Sequence, residues 1–168
     1  MKKVIIALLC LLALFCSGNE VKASTAEASA TATILQTLSA SKKSDLAFGV
    51  IIPSESSGTV TITPSTSDRT HEGGVVLVAS TSGAASFNIS GTSNTVYTVT
   101  LPETDTIKIS SGTNIMTVHS FTVFPPSGSA RLDSDGQAIF NIGGTLNVGA
   151  DQPPGSYTGT FDVTVAYQ

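Results

Sequence analysis

The sequence predicts an all-β protein, an antiparallel sandwich built from about ten short strands. Of its 168 residues, 46 are serine or threonine, and only 12% are charged. Small hydroxyl side chains suit the solvent-facing side of a strand, whereas long helices are rich in Ala, Glu, Lys, Leu and Arg. No segment keeps a helical period, and alternation of apolar with polar residues recurs between turn residues. With 40% hydrophobic residues the chain can form a core, so disorder is not predicted.

Five strands are predicted in the first half of the chain. Alternating alanine and threonine indicate the first, and a serine-rich stretch over 39–44 predicts a loop after it. The next two apolar runs end at Pro53 and Pro64, since proline cannot continue a central strand. The fourth follows Gly73, and the fifth carries Phe87. These predicted strands cover residues 28–35, 46–52, 58–63, 75–79 and 84–90.

Five further strands are predicted in the second half, again from alternation between turn residues. The longest continuous run ends at Pro125, and the next run contains Gly143 and Gly144. Between these two, Asp135 and Gly136 predict a hairpin turn. The predicted strands cover residues 96–101, 107–110, 115–124, 138–148 and 157–167. Short strands at this spacing are typical of a sandwich or barrel.

The N-terminus predicts export. Lys2 and Lys3 precede twelve apolar residues, 4–15, which are too few to span a bilayer but suit a signal peptide. Small residues at Val21 and Ala23 predict cleavage after Ala23, so residues 1–23 form the signal peptide and 24–168 a single domain. The protein is then expected in the periplasm, at the cell surface or outside the cell, with no transmembrane segment in the mature chain. Two alternatives are an N-terminal membrane anchor and lipidation at Cys16, which follows a bulky residue rather than a small one.

Composition excludes several classes of function. The mature chain has five basic and eleven acidic residues, which argues against nucleic-acid binding because that needs a basic surface. Both cysteines lie within the predicted signal peptide, so thiolate metal sites and cysteine nucleophiles are excluded. No Gly-x-Ser-x-Gly elbow and no phosphate-binding loop occurs. We therefore expect no enzyme activity, no metal and no cofactor.

The two histidines and one acidic turn are the remaining candidates for chemistry. His71 lies in a polar stretch with Asp68 and Glu72, where a solvated turn is expected rather than a metal site. His119 lies in an alternating run and is expected at a strand surface; an exported hydrolase using it is the weakest alternative. Residues 133–136 resemble the start of a calcium loop but lack the acidic ligand that should follow.

The last fourteen residues show the clearest alternation in the chain. Phe161, Val163, Val165 and Tyr167 share one face, after Gly155 at the start of the segment. Such a strand buries one face and offers backbone hydrogen bonds along an edge. It is either an ordinary final strand of a sandwich or an edge that a partner recognises.

These residues resemble the C-terminal strand of chaperone–usher pilus subunits. The resemblance implies an incomplete immunoglobulin-like sandwich, whose missing strand comes from a periplasmic chaperone or from the N-terminal extension of another subunit. It implies that Gly155, Phe161, Val163, Val165 and Tyr167 form the assembly edge. The wider chain also resembles a family of secreted bacterial domains of unknown function, through ATATI at 30–34, DLAFG at 45–49, GTVT at 58–61, YTVTLP at 97–102, FNIGGTL at 140–146 and GSYTGTF at 155–161.

Together these observations predict a structural role, that of a fimbria-like surface subunit that assembles by strand addition. The expected partners are further copies of the chain or a periplasmic chaperone. The candidate donor segment has one apolar face, formed by Ala26, Ala28, Ala30, Ala32 and Ile34. The alternative is a self-contained, adhesin-like module that binds carbohydrate or protein through its loops. That alternative requires residues 28–35 to complete the protein's own sheet.

Overall fold

The computed structural model describes residues 25–103 and 107–168. Residues 34–168 form one compact unit. The described residues contain no helix and form nine strands, which confirms the predicted all-β class. The strands are β1 (Ser39–Ser44), β2 (Val50–Ile62), β3 (Arg69–Val78), β4 (Ala85–Ser90), β5 (Tyr97–Thr100), β6 (Ile107–Ser111), β7 (Asn114–Phe124), β8 (Gln137–Val148) and β9 (Thr164–Tyr167).

Seven of these strands form one antiparallel sheet around β8. The order is β1-β4-β8-β2-β3, with β7 on the other edge of β8 and β6 beside β7. β4 pairs with the first half of β8 and β2 with the second half. Because β7 pairs with parts of both halves along one edge, β4 and β2 both lie along the opposite edge of β8. A Cβ atom at Gly143 would lie 2.1 Å from the Ile62 carbonyl oxygen, so only glycine fits where β2 meets β8.

A two-stranded ribbon of β5 and β9 covers part of this sheet, giving a sandwich-like arrangement. The ribbon contributes Tyr97 and Val99 to a cluster that also contains Phe140 and Ile142 of β8. We call this the closed cluster; its buried members are Ala85, Ile89, Tyr97, Val99, Ala130, Leu132, Phe140 and Ile142. A second, smaller group surrounds the far end of β8. We call it the open cluster; its buried members are Val60, Val75, Val118, Leu146 and Val148.

Strand prediction failed mainly at the edges of the sheet. The loop expected over 39–44 is in fact β1, an edge strand on β4 whose six residues are all exposed, so it lacks the apolar alternation that marks a strand. The strand expected over 28–35 is absent, since residues 25–38 have no regular secondary structure. The final strand is shorter than expected and comprises only Thr164–Tyr167.

The two strands expected at 46–52 and 58–63 are joined into one, β2. It pairs with β3 along both halves, with a register shift between Pro53 and Gly58. Proline is tolerated here because it lies beside the irregularity rather than in a regular central ladder. The predicted runs at 84–90, 96–101, 107–110, 115–124 and 138–148 are confirmed as β4 to β8, with ends shifted by at most one residue.

The predicted signal peptide lies outside the described residues. Within the described part of the chain, no helix is long and apolar enough to cross a membrane.

Candidate strand-binding groove

A groove of about 1090 Å³ lies over the open cluster. Val118, Leu146 and Val148 of the open cluster contribute to its lining. One wall is residues 46–53, with Phe48 and Ile51 facing the cluster, and residues 152–161 form part of the opposite wall. Among the described residues, the charged ones in the lining are Lys42 and Asp45, which form an exposed ion pair at 2.6 Å. The groove is therefore an apolar site with almost no fixed charge.

The first wall exists because β2 separates from β8 halfway along its length. Only Gly58–Ile62 pair with β8, whereas Val50–Pro53 pair with β3 alone. No described residue pairs with the other edge of Val50–Pro53, which borders the groove. A Cβ at Gly74 would lie 2.1 Å from the Ser56 carbonyl oxygen, so glycine allows the close packing at this bend. The bend leaves Val50–Pro53 with a strand partner on one side only among the described residues.

The second wall is held against β6 by a single bridge. The amide of Ser110 donates to the Thr158 carbonyl at 2.9 Å, and the amide of Thr158 donates back at 3.0 Å. Two glycines flank this bridge: a Cβ at Gly159 would lie 2.4 Å from the Lys108 carbonyl oxygen, and one at Gly155 would lie 2.3 Å from Ser111 Oγ. Gly159 is the stricter requirement because its neighbour is backbone. Sequence analysis included Gly155 and missed Gly159.

The loop that leads into the second wall is braced against one end of β2. The Asp151 amide donates to the Ser54 carbonyl at 2.8 Å. Gln152 Nε2 donates to the Tyr157 hydroxyl at 2.8 Å, and that hydroxyl donates to the Pro153 carbonyl at 2.7 Å. These bonds join both walls at one end of the groove, so the walls are preorganised rather than loose.

Arg69 fastens the first wall to β3, a role that the sequence did not reveal. Its Nη1 donates to the Phe48 carbonyl at 2.8 Å, and its Nη2 donates to the Val78 carbonyl at 2.6 Å. The wall turns at Gly49, whose φ is 75° and whose Cβ, if present, would lie 2.3 Å from Arg69 Nη1. The guanidinium therefore occupies the space that a side chain at position 49 would need. A single basic residue beside a serine-rich loop gives no sequence signal that predicts these hydrogen bonds to distant carbonyl groups.

The five residues predicted as an assembly edge occupy two different places. Gly155 and Phe161 line the groove, and the Phe161 ring lies 5.2 Å from that of Phe121. Val163, Val165 and Tyr167 pack on the closed cluster, as Phe161 also does, but they do not line the groove. Val165 and Tyr167 already pair with Val99 and Tyr97 of β5. The groove therefore adjoins only the first part of the segment.

The candidate donor segment does not form a strand. Ala26, Ala28, Ala30 and Ala32 have exposed side chains in a stretch without regular structure. Ile34 is 94% exposed, which is unusual for a large aliphatic side chain. The segment is thus an arm with an alternating apolar face that the described structure does not bury.

The two histidines lie on different strands, His71 on β3 and His119 on β7. His71 lies on β3, paired with Val60, and not in the turn that the sequence predicted. His119 Nε2 lies 3.0 Å from Asn147 Oδ1, and its Nδ1 lies 2.8 Å from Ser120 Oγ. In the part of the chain that the structure describes, no three His, Cys, Asp or Glu residues are grouped to hold a metal ion.

The acidic stretch forms a turn, but the predicted hairpin between residues 130–132 and 138–140 is wrong, because Arg131 bridges Val96 and the described partners of β8 are β2, β4 and β7. Asp133 Oδ1 accepts hydrogen bonds from the amides of Asp135 at 2.9 Å and Gln137 at 2.8 Å. Gly136 has a φ of 73°, the conformation for which glycine is favoured. The Asp133 carboxylate thus already serves the backbone of its own turn.

The groove is suited to an extended peptide rather than to a polar metabolite. Its lining offers apolar side chains, and its two walls offer backbone groups without strand partners among the described residues. Both features are needed to add a strand to a sheet: backbone bonds hold the strand, and pockets accept alternate side chains. Sequence analysis identified the second wall in part, from Gly155 and Phe161, and missed the first.

Comparison with known proteins identifies a family but no activity. No curated protein and no solved structure matches the chain significantly. Residues 38–167 match the model of a domain of unknown function, DUF4402. Because this match covers most of the chain, including both walls of the groove, the protein belongs to the DUF4402 family.

Proposed function

We propose that this protein is an exported, pilin-like surface subunit that assembles when an extended segment of another copy enters the groove. The observation that carries the proposal is that no described strand lies in the apolar groove over the open cluster. Phe48, Ile51 and Ile109 pack on it yet remain partly exposed. An inserted strand would remove this apolar surface from water, which is worth roughly 25 cal/mol per Å² buried.

The arm before β1 has the properties that this groove requires. Residues 25–34 are ten in number, and the wall at 46–53 has eight, so an extended arm can follow the whole wall. The arm has one alternating face of small apolar residues ending in Ile34. It lies outside any sheet, which supports the proposal over the self-contained module, since that alternative needs residues 28–35 in the protein's own sheet.

The resulting assembly is a filament. An arm on one copy that occupies a groove on another makes a head-to-tail contact between two different surfaces. Contacts of this kind form rings only when the rotation closes, and otherwise they form open fibres. Export by a signal peptide would place such a fibre at the cell surface. Pilus subunits of the chaperone–usher type, which the C-terminal segment resembles, are assembled in this way.

The first test uses the protein exported from cells by its own leader. Samples are run on a denaturing gel without heating and after boiling. We expect a ladder that collapses to one band on boiling, because an inserted strand completes a packed core and resists detergent. A single monomer band in both lanes would contradict the proposal and favour a self-contained binding module.

A matched pair of arm variants gives the test its specificity. Ala30→Asp places a charge on the apolar face of the arm, and Thr31→Asp places the same charge on the opposite face. We expect Ala30→Asp to abolish the ladder and Thr31→Asp to preserve it, with both variants equally folded by circular dichroism. Equal loss in both would show that the alternating face is not what the groove recognises.

A further inference from the structure

The root of the arm is fastened to the body by Tyr167, through the backbone of Gln36. The Tyr167 hydroxyl donates to the Gln36 carbonyl at 2.8 Å and accepts from the Thr92 amide at 2.7 Å. The Gln36 amide in turn donates to Thr92 Oγ1 at 2.7 Å. Both polar backbone groups of Gln36 are therefore bound to the same two residues. We call this set of three hydrogen bonds the root clamp.

The surroundings of the root clamp are built to admit the phenol. A Cβ at Gly91 would lie 2.3 Å from the Tyr167 hydroxyl oxygen and 2.9 Å from Leu38 Cδ1, so only glycine leaves room for both. Tyr167 and Leu38 both pack against the closed cluster. The ring is thus fixed by packing, and its hydroxyl is directed at the arm root rather than at the groove.

The root clamp and the groove lie at opposite ends of β1. Ser39 pairs with Ser90, two residues before Thr92 of the clamp, whereas the groove lining begins at Lys42. The chain from Gln36 to Lys42 covers six residues, or about 20 Å when extended. An arm fixed at Gln36 would need about six of its ten residues to return to its own groove. It would then have roughly four left to cover an eight-residue wall.

Opening the clamp changes this length balance. If residues 35–38 detach, the arm grows from ten residues to fourteen, 25–38, and its root moves to Ser39. About three residues then suffice to return along β1 to Lys42, and about eleven remain, enough for the wall. The clamp therefore separates an arm that can reach only another copy from an arm that can fill its own groove.

We infer that Tyr167 is a positioning residue that directs the arm into the groove of a second copy and prevents insertion into the protein's own groove. The inference rests on the proposed function, because it presupposes that the arm enters a groove. It assigns Tyr167 a different role from the recognition edge that the sequence predicts. It also explains how a chain can carry both an arm and a groove without closing on itself.

The test is disulfide trapping in a chain whose Cys10 and Cys16 are replaced by serine. One reporter chain carries Ala30→Cys in the arm, and another carries Ile51→Cys in the groove wall. Refolding the two together and oxidising them reports insertion between copies as a covalent dimer. A third chain carrying both cysteines reports insertion within one copy as a cyclised monomer, which migrates faster on a non-reducing gel. Arm positions 28 and 32 are tested in parallel to cover neighbouring registers.

With the native clamp we expect dimers from the mixed chains and almost no cyclised monomer. Tyr167→Phe keeps the ring but removes two hydrogen bonds, and Thr92→Val removes the acceptor for the Gln36 amide. We expect each to raise the cyclised fraction by about tenfold, given the usual strength of such bonds. Tyr97→Phe is the matched control, since Tyr97 is the cross-strand neighbour of Tyr167 and its hydroxyl is not part of the clamp. It should behave as the native protein does.

Hydrogen exchange at the Thr92 amide gives an independent readout of the clamp. We expect faster exchange there in Tyr167→Phe, while amides of β8 keep their protection. If the mixed chains form dimers but Tyr167→Phe leaves the cyclised fraction unchanged, the inference is wrong and the proposed function stands. If no arm cysteine reacts with the groove in any chain, the proposed function fails and the inference fails with it.

Discussion

The closed and open clusters differ in cover, although one strand contributes to both. β8 supplies Phe140 and Ile142 to the closed cluster and Leu146 and Val148 to the open one. The β5–β9 ribbon lies over the first pair. The groove lies over the second pair, with Phe48, Ile51 and Met116 around it partly exposed. The four residues from the two halves of β8 are all at most 3% exposed, so alternation marks the buried face, and the two halves differ only in what lies over them.

The contrast also explains why the assembly edge divided into two groups. Val165 and Tyr167 belong to β9, which has its partner in β5 and helps to close the first cluster. Phe161 lies before β9, where the chain has no strand partner among the described residues, and it borders the groove. The last segment thus serves as cover at its end and as a wall at its beginning.

The largest predicted effect is on the free energy of unfolding, compared for three isoleucines that differ in how far other residues cover them. Ile142→Ala empties a site that is 0% exposed and should lower the free energy of unfolding by about 2–5 kcal/mol. Ile51→Ala in the groove wall should cost about 1 kcal/mol in the isolated subunit, since its site is already partly hydrated. Ile139→Ala, 51% exposed on β8, is the control and should change little. Urea unfolding measures all three, and equal costs for Ile142 and Ile51 would remove the distinction between the clusters.

Gly159→Ala should displace the second wall of the groove. Its Cβ would meet the Lys108 carbonyl at 2.4 Å, so the wall must move away from β6, at a cost of roughly 1–3 kcal/mol. Gly83→Ala is the matched control, because the nearest atom to its Cβ would be 3.7 Å away. Thermal unfolding and the unheated gel are the measurements. A wild-type melting curve together with an intact ladder in Gly159→Ala would show that this wall is not required.

Arg69→Lys should loosen the first wall with a smaller loss of stability. Lysine keeps the charge but cannot donate to the Phe48 and Val78 carbonyls with one planar fork. We expect a loss of about 1 kcal/mol, given the usual strength of hydrogen bonds to charged groups. Hydrogen exchange should accelerate in residues 46–53 before it does so in β8. Uniform acceleration across the sheet would mean that Arg69 supports the whole fold and not this wall.

The smallest effect concerns pH and the closed cluster. Burial raises the pKa of Tyr97 above its usual value of about 10. The unfolded chain then ionises first, so this contribution to stability is complete below pH 10 and is lost as the pH rises through the pKa of the folded state. We expect unfolding free energies measured between pH 9 and pH 11 to fall more steeply in the native protein than in Tyr97→Phe. Parallel slopes would contradict this assignment.

Much of the strand pattern could be predicted because it depends on the alternation of neighbouring residues along the chain. β7 and β8 alternate over their whole length and were located within one residue at each end. β1 was missed because its residues, from Ser39 to Ser44, are polar on both faces and are held only by pairing with β4. The arm was predicted as a strand because alternation shows that a segment can pair, not that a partner is present.

The candidate site could be predicted only in part. Phe161 and Gly155 were found from the alternating C-terminal segment, since that pattern is local. Arg69, Gly159 and the first wall were not found, because each acts through atoms far away in the chain. The sequence singled out Tyr167 as part of an assembly edge. Its contacts indicate a different role, because its hydroxyl binds Gln36, 131 positions earlier.

By itself, the sequence determined the all-β class, the faces of the central strands and the alternating arm, because side-chain direction repeats every two residues along a strand. It also predicts the export signal on which the proposed function depends. Only the tertiary structure decided which half of β8 lies under a second layer, where β2 separates from it and where the arm is fastened. These features depend on pairing between distant segments, and no periodicity along the chain records which pairs form.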